Sequence, residues 1–523
     1  MRILLKKGKI FDGTGSSAFA GDVLIEGEKI IEVGAELNVG ADKTIDCTGL
    51  CIAPGFIDAH SHNDFYIEKQ QAEKYFAPFV KQGITTQIAG NCGFSPFGVA
   101  KDSKHKDKIG GALFSAKNPE SFKAFLESSQ GRLYVNIVPL IGHGSVRAGI
   151  SGNDAAPLSA EQIKQMQEHV SEAMSLGALG GSLGLMYEPG IYSKHDELVA
   201  FSKEIAKYGG ILTVHPRACS KIALGYRPVF SKPHIELALD EVARIAKEAG
   251  AKLHYSHLIH VGQATWKCCS RLLKKMHGLG ITYDIYAFCH GASVITVILP
   301  PWYMGLPPEK RKSAFVLFKL KLIINITRKL LGMDFDDFTV ADMGPEFEAY
   351  QGKTIAGLAE EAGLSKTDMY IKLVDISGGT ARMLIGKYNN EDIVQKLMED
   401  SHSMLMTDAW IEESGLQNSA CFQCFPFFLV KARAAKLPLE SIIHKMTGKT
   451  AERFELPFRG TLKPGNFADI TVFDYEKMSV NLSVPDETPE GIKFVLINGE
   501  IVLDNGEYAP LTCGQMVLRD APL

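Results

Sequence analysis

Between Pro54 and about residue 454 the chain alternates short apolar segments with longer helix-periodic ones, and no other feature constrains the fold as strongly. The extended pieces fall at 52–58, 84–89, 133–141, 182–185, 211–215, 252–257, 280–285 and 404–407, with helical stretches such as 120–127, 159–176, 195–208 and 235–249 between them. Parallel strands joined by helices are buried on both faces and therefore read as near-continuous apolar runs. Eight such units predict an α/β architecture, a (β/α)8 barrel over residues 54–454. The rhythm breaks at about 290–351, where Leu299-Pro-Pro-Trp302, a basic helix over 310–331 and an acidic turn at 334–337 read as a lid-like excursion after the seventh strand.

Both ends of the chain are strand-rich. Segments 4–9, 22–26, 29–33 and 43–46 are separated by Asp12-Gly13 and Glu26-Gly27 turns, and the C-terminal part repeats this character at 470–473, 493–497 and 500–503, with an Asn498-Gly499 hairpin turn. Residues 1–53 and 455–523 are thus expected to fold together as a small β-sandwich beside the barrel.

Composition narrows the partners. A formal net charge of −4 over 523 residues offers no cationic surface for nucleic acid or anionic lipid, so neither is expected. The first ten residues lack the pattern of a signal peptide, and the most apolar later segments, 314–326 and 422–430, are too short or broken by lysines to span a bilayer. Ten cysteines without framework spacing, Cys268 and Cys269 among them adjacent, point to reduced thiols and a cytoplasmic setting. Cys421-x-x-Cys424 has no second ligand pair nearby. A small molecule is the expected partner, and a homo-oligomer is compatible with the sequence.

Barrel chemistry gathers at the C-terminal ends of the strands. Strand one leads to His60 and His62, strand two to Cys92 between glycines, strand three to His143, strand four to Tyr187, strand five to His215 and Arg217, strand six to His257, strand seven to Asp284 and Tyr286, and strand eight to Asp408. Packing alone needs far fewer polar residues. Cys92, His215 and His257 form a coherent set for zinc, a borderline-soft ion that accepts thiolate and imidazole. His60 and His62, with Cys92 as a bridge, suit a second and weaker ion, and Asp408 suits a proton carrier. Blander readings stand beside these: Cys92 as an inert buried thiol, Asp408 as a helix cap, and His143 as a backbone-bonding or supporting residue rather than a ligand. His254 is expected on the other side of its strand from His257, and His260, His290 and His402 in loops or on the surface.

The motifs in their order resemble the D-aminoacylase or N-acyl-D-amino-acid deacylase family of the amidohydrolase superfamily. They are Pro54-Gly-Phe-Ile-Asp-Ala-His-Ser-His62, Gly90-Asn-Cys-Gly93, Asn136 with Gly142-His-Gly-Ser-Val-Arg147, Leu185-Met-Tyr-Glu-Pro-Gly190, His215-Pro-Arg217, Ser256-His257, Asp284-Ile-Tyr286, Leu299-Pro-Pro-Trp302, Thr407-Asp408 and Arg459-Gly-Thr-Leu-Lys-Pro-Gly-Asn-Phe-Ala-Asp-Ile470. The resemblance implies zinc-dependent hydrolysis of a C–N bond, a tight ion on Cys92, His215 and His257, a weaker one at His60 and His62, and Asp408 as acid/base. It also implies a lysine and an arginine that hold a D-amino-acid carboxylate. Here those positions are Ile259 and Ala420, and neither residue can replace a cation. Arg217 and His260 are the substitutes the sequence offers. N-acyl-D-amino acids are the default substrates. A neutral or cyclic amide, a hydantoin-like compound or a small peptide is the alternative, and an inactive metal-binding interaction protein is the reading from another class.

Overall fold

A computed structural model describes residues 1–224, 226 and 232–519. The last residues of the C-terminal β segment, 520–523, lie outside the described residues. Eight parallel strands form the central sheet: β1 (Phe56–Asp58), β2 (Ile84–Ala89), β3 (Asn136–Gly142), β4 (Gly180–Gly184), β5 (Ile211–His215), β6 (Lys252–Tyr255), β7 (Thr282–Ile285) and β8 (Ser403–Leu405), each hydrogen-bonded to the next in chain order. Single backbone bonds, Ala59 N to Leu405 O (3.3 Å) and Asp408 N to His60 O (3.0 Å), bring the first and last strands together. At this seam the Asp58 carboxylate accepts from Thr407 N (2.9 Å) and Thr407 Oγ1 (2.6 Å).

Local chemistry explains the surrounding helices. Ser159 caps the helix Ala160–Ser175, and the Gln162 side chain reaches back to the Ser159 amide, a complete capping box. Its Met166, Val170, Ala173 and Met174 are buried, a helical stripe that packs inwards. Ser193 works differently: the helix His195–Lys207 has no side-chain cap, and Ser193 Oγ donates instead to Glu197 (2.8 Å).

The segment expected as one strand over 52–58 divides between two sheets. Cys51–Pro54 pairs with Arg2–Ile10 and Ile470–Phe473, whereas β1 pairs with β2. Gly55 is the pivot. A Cβ there would lie 2.2 Å from Thr85 Oγ1, so only glycine permits this approach. The β structure from the two termini is one continuous nine-stranded mixed sheet that bends round a core including Ile3, Leu5, Val23, Ile25, Ile470 and Val472.

A buried polar knot joins this sheet to the barrel. Asp469 accepts from Asn136 Nδ2 on β3 (3.1 Å), from Asn498 N (2.9 Å) and from Arg459, and Asn498 Nδ2 donates to Asn136 Oδ1 (2.8 Å). Residues quoted far apart in the sequence motifs thus meet.

The excursion after β7 does not end near residue 351. It carries a three-stranded antiparallel sheet whose central strand is Arg382–Ile385, and the barrel resumes with the helix Glu391–Glu399, which packs on β7 and β8. The helices Ile355–Glu361 and Lys366–Ile376 belong to this excursion, and Arg382-Met-Leu-Ile385 is too short to announce itself as its third strand. Its long helix, Ala314–Leu331, buries Leu320, Ile324 and Leu331 and leaves Phe315, Phe318, Leu322, Ile326 and Leu330 exposed. Among the described residues no helix is long and apolar enough to cross a membrane.

Candidate metal centre

Cys92 lies at the centre of the barrel mouth. Its Sγ is 3.3 Å from His60 Nε2, 3.5 Å from His215 Nδ1 and 3.4 Å from His257 Nε2. Tetrahedral zinc with ordinary Zn–S and Zn–N bonds places sulfur and nitrogen ligands about 3.6 Å apart. Each spacing is therefore short enough for Cys92 and that imidazole to hold a common ion. Two groups share the cysteine: Cys92 with His215 and His257, and Cys92 with His60, His62 and Asp408, the donor atoms of each lying within 4.8 Å of one another. Asp408 Oδ1 is 3.4 Å from His60 Nε2 and 3.5 Å from His62 Nε2.

The backbone brings these atoms together at some cost. Cys92, His257 and Asp408 have φ of 52°, 35° and 45°, the left-handed region that side-chain-bearing residues seldom occupy. Such conformations cost about 1–3 kcal/mol each and persist where surrounding structure enforces them. Around Cys92 the enforcement is visible. Ser182 Oγ receives Gly93 N (2.9 Å), Asn91 Nδ2 donates to Ile88 O (2.9 Å), and Thr213 Oγ1 donates to Asn91 Oδ1 (3.1 Å). A Cβ on Gly184 would lie 1.8 Å from the Cys92 carbonyl oxygen, so the end of β4 can press on the cysteine only as glycine.

Asp284 organises the outer side of the centre. It accepts from His254 Nε2 (3.0 Å) and the His257 backbone amide, and its Oδ2 is 3.4 Å from His60 Nδ1. Burial opposes ionisation of this carboxyl, yet the His60 and His254 rings hold it well below the usual range. Asp408 is likewise held low against its burial by His60 and a hydrogen bond from His62. Burial keeps His215 and His257 neutral and brings His62 down to about 4, leaving imidazole lone pairs free to ligate. The same burial pushes the Cys92 thiol up to about 11. A bound cation reverses that preference, since a coordinating thiol loses its proton.

Three expected residues are placed differently. His143 does not sit in a bend bonding to backbone. It opens α1 (His143–Ser151), and its Nε2 is 2.9 Å from Glu197 Oε1 on α2 (His195–Lys207). The link from α1 to the centre is a backbone one, Ser145 N to Gly93 O (3.0 Å). Arg217 is not a free cation, because its Nε donates to Glu241 (3.1 Å) and its Nη1 to Ile191 O (2.7 Å). His260 is fully buried, bonded through Nδ1 to Asn389 Oδ1 (2.8 Å), and its pKa is depressed to about 4 by burial. Neither Glu241 nor Asn389 is signalled by the motif in which its partner occurs. A third group, His277, Asp400 and His402, lies at the opposite end of the barrel, just before β7 and β8 begin, and is partly exposed.

A cavity with an empty volume of about 1090 Å³, part of it open to solvent, begins at His215 and Tyr187. Its wall includes Arg217, Ile259, Leu299 and Tyr388, and one side is closed by α3 (Ala314–Leu331) of the excursion. Tyr187 packs on the His215 ring with centroids 4.6 Å apart. Tyr286 is buried beside Tyr388, their centroids 6.4 Å apart. Ala420 opens a buried helix, Ala420–Ala434, and is not part of the cavity wall.

No family model matches the chain. It is 27% identical over 532 residues to a D-aminoacylase of Alcaligenes xylosoxydans xylosoxydans, covering 99% of this chain and 98% of that one. A crystal structure of D-aminoacylase, described as defining a novel subset of amidohydrolases, superposes with a TM-score of 0.79 at 24% identity over 99% of both chains. The N-acyl-D-glutamate deacylase of Bordetella bronchiseptica, solved with zinc and a phosphonate inhibitor that mimics the tetrahedral intermediate, gives 0.79 at 23% identity, again over 99% of both. These structural matches establish the fold.

Proposed function

We propose that this chain, whose relatives are the D-aminoacylase and N-acyl-D-amino-acid deacylase members of the amidohydrolase superfamily, is a zinc-dependent hydrolase of an amide bond in which Asp408 moves the proton. The observation that carries the reading is the cysteine shared by two donor groups, with an ionised aspartate at one edge. Cys92, His215 and His257 would hold a zinc ion, which when bound would polarise a carbonyl and lower the pKa of water. The second group, around His60 and His62, suits a weaker ion.

The chain's own residues do the rest. Asp408 is held by His60 and His62 at an open edge of the centre, 17% exposed, where its carboxylate can take the proton of an attacking water. The same oxygen then returns that proton to the departing nitrogen. Asp284 fixes His60, His254 and the His257 backbone, and so sets which ring nitrogens face the centre. Tyr187 stands beside His215 at the cavity end where a carbonyl would enter.

The substrate is read as an amide without a free carboxylate next to the scissile bond. Support comes from the cavity wall: Ile259 replaces the expected lysine, Arg217 is paired with Glu241, and the other arginine in the wall, Arg328, is paired with Asp334. Among the described residues of the wall no unpaired cation remains to neutralise a carboxylate. Full-length similarity to D-aminoacylase favours a second reading, N-acyl-D-amino acids. Hydrolysis rates for zinc-loaded protein on N-acyl-D-amino acids, their L forms and their carboxamides separate the two. Faster turnover of carboxamides supports the neutral reading, and the introduction of Ile259→Lys is then expected to shift preference toward the acids. A clear preference of the unaltered protein for free D-carboxylates refutes it. Absence of turnover with every amide refutes the hydrolase assignment itself.

A further inference from the structure

The cavity beside His215 is more apolar than a small acyl group needs. Beyond the polar end at His215 and Tyr187, its wall is mainly hydrocarbon, with Ile259, Val261, Ile298, Ile324, Leu331 and Ile385 converging from four parts of the chain. The first two follow β6, while the other four belong to the excursion, two of them on α3. Arg217 and Arg328 reach the wall with their charges already satisfied by Glu241 and Asp334, so each contributes mostly its methylene stem.

We propose that this cavity binds a long hydrocarbon arm of an amide whose scissile bond lies at the His215 end. The proposal rests on the hydrolase reading above and names its substrate class: lipophilic amides. In the reaction the oxygen of water bonds to the carbonyl carbon, the C–N bond breaks, and the nitrogen leaves with the proton that water gave up. The products are a carboxylate and an amine, and no oxidant or reductant is needed. Ile259 has a direct part in this choice, because a lysine at that position would place a charge in a hydrocarbon wall.

Two homologous series test the inference, N-methyl amides of acids from two to twelve carbons and N-alkyl acetamides over the same range, assayed with zinc-loaded protein. In one of them kcat/KM is expected to rise about threefold to fourfold for each methylene buried, then level off when the cavity is full. Ile298→Trp and Leu331→Trp, on separate elements, should each move the plateau to shorter chains. Binding gives a readout without turnover: metal-free protein should take up the neutral fluorophore N-phenyl-1-naphthylamine, and decanamide should displace it more strongly than butanamide. Hydrolysis that is flat with chain length in both series, with no displacement by decanamide, overturns the hydrocarbon-arm assignment and leaves the hydrolase reading intact. Chain-length-dependent displacement with no hydrolysis of any amide supports the cavity assignment and overturns the hydrolase reading.

Discussion

Removing the Glu197 carboxylate should destabilise the protein out of proportion to the size of the change. Arg147 is among the largest fully buried side chains of the described residues, and Glu197 is its counter-charge, with Arg147 Nε 3.0 Å from Glu197 Oε1. The same oxygen receives His143 Nε2 (2.9 Å) and Ser193 Oγ (2.8 Å), while the remaining guanidinium nitrogens donate to Asp154 O (2.9 Å) and Ala156 O (2.7 Å). In Glu197→Ala the guanidinium keeps its two carbonyls but loses its charge partner inside the protein, which costs about 3–5 kcal/mol. Glu197→Gln retains an acceptor of nearly the same shape and should cost less, about 1.5–3 kcal/mol for the charged hydrogen bonds weakened. Arg147→Met combined with Glu197→Leu removes both charges, and its loss should fall well short of the sum of the single variants. The pH dependence follows with a definite sign. Burial opposes ionisation of Glu197, but the His143 hydrogen bond and Arg147 outweigh it and lower the pKa from 4.5. Stabilisation by this carboxylate is therefore complete above about pH 4.5 and is lost as pH falls through the lowered value, a slope that Glu197→Gln should remove. Urea unfolding from pH 3 to 8 measures both effects. A cost below about 1 kcal/mol for Glu197→Ala, or strict additivity in the double variant, would refute the argument.

Cys92→Ala should lower bound zinc, read by elemental analysis after dialysis, because both donor groups lose their common atom; unchanged zinc content would remove the cysteine from the ligand set. Gly184→Ala places a Cβ 1.8 Å from the Cys92 carbonyl oxygen and should cost about 1–3 kcal/mol while weakening zinc retention, measured by denaturation and chelator competition. Asp408→Asn should leave zinc content unchanged and abolish hydrolysis, so retained turnover would contradict its role. Asp469→Ala leaves Arg459 buried without its carboxylate and should cost about 3–5 kcal/mol, with barrel and terminal sheet still melting in one calorimetric transition.

Much of this was legible in the chain. The eight parallel strands occur where apolar runs predicted them because each is buried on both faces, and a polar residue ending a strand lies near the mouth. That is why position brings His60, His62, Cys92, His215, His257 and Asp408 forward as candidates, while His143, selected on the same ground, bonds to Glu197 instead. What stayed hidden depends on pairing between distant segments. Neither Glu241 beside Arg217 nor Asn389 beside His260 has local spacing that marks it, and both decide whether the partner can serve a ligand. The left-handed backbone of Cys92, His257 and Asp408 runs against the preferences of those residues and is enforced from neighbouring strands. Gly55 resembles any turn glycine until Thr85 is seen against it. The true end of the excursion stayed hidden because its last strand, Arg382–Ile385, is short and is recognised only by its pairing with two distant strands.

Helix α3 has hydrocarbon on two opposite sides: Ile324 and Leu331 face the cavity, while Phe315, Phe318, Leu322, Ile326 and Leu330 face solvent. For an ordinary amphipathic helix, oil-to-core preference alone selects one orientation; here turning the helix over would exchange one greasy side for another at little net gain or loss. Its seating is consequently decided by polar fastenings, Arg328 to Asp334, Lys321 to Asp368 (2.5 Å) and Thr367 to Asn325 (2.8 Å). A cover held by ion pairs over an oily chamber loosens with ionic strength rather than with loss of hydrophobic contact. Added salt is thus the natural handle on access to the chamber.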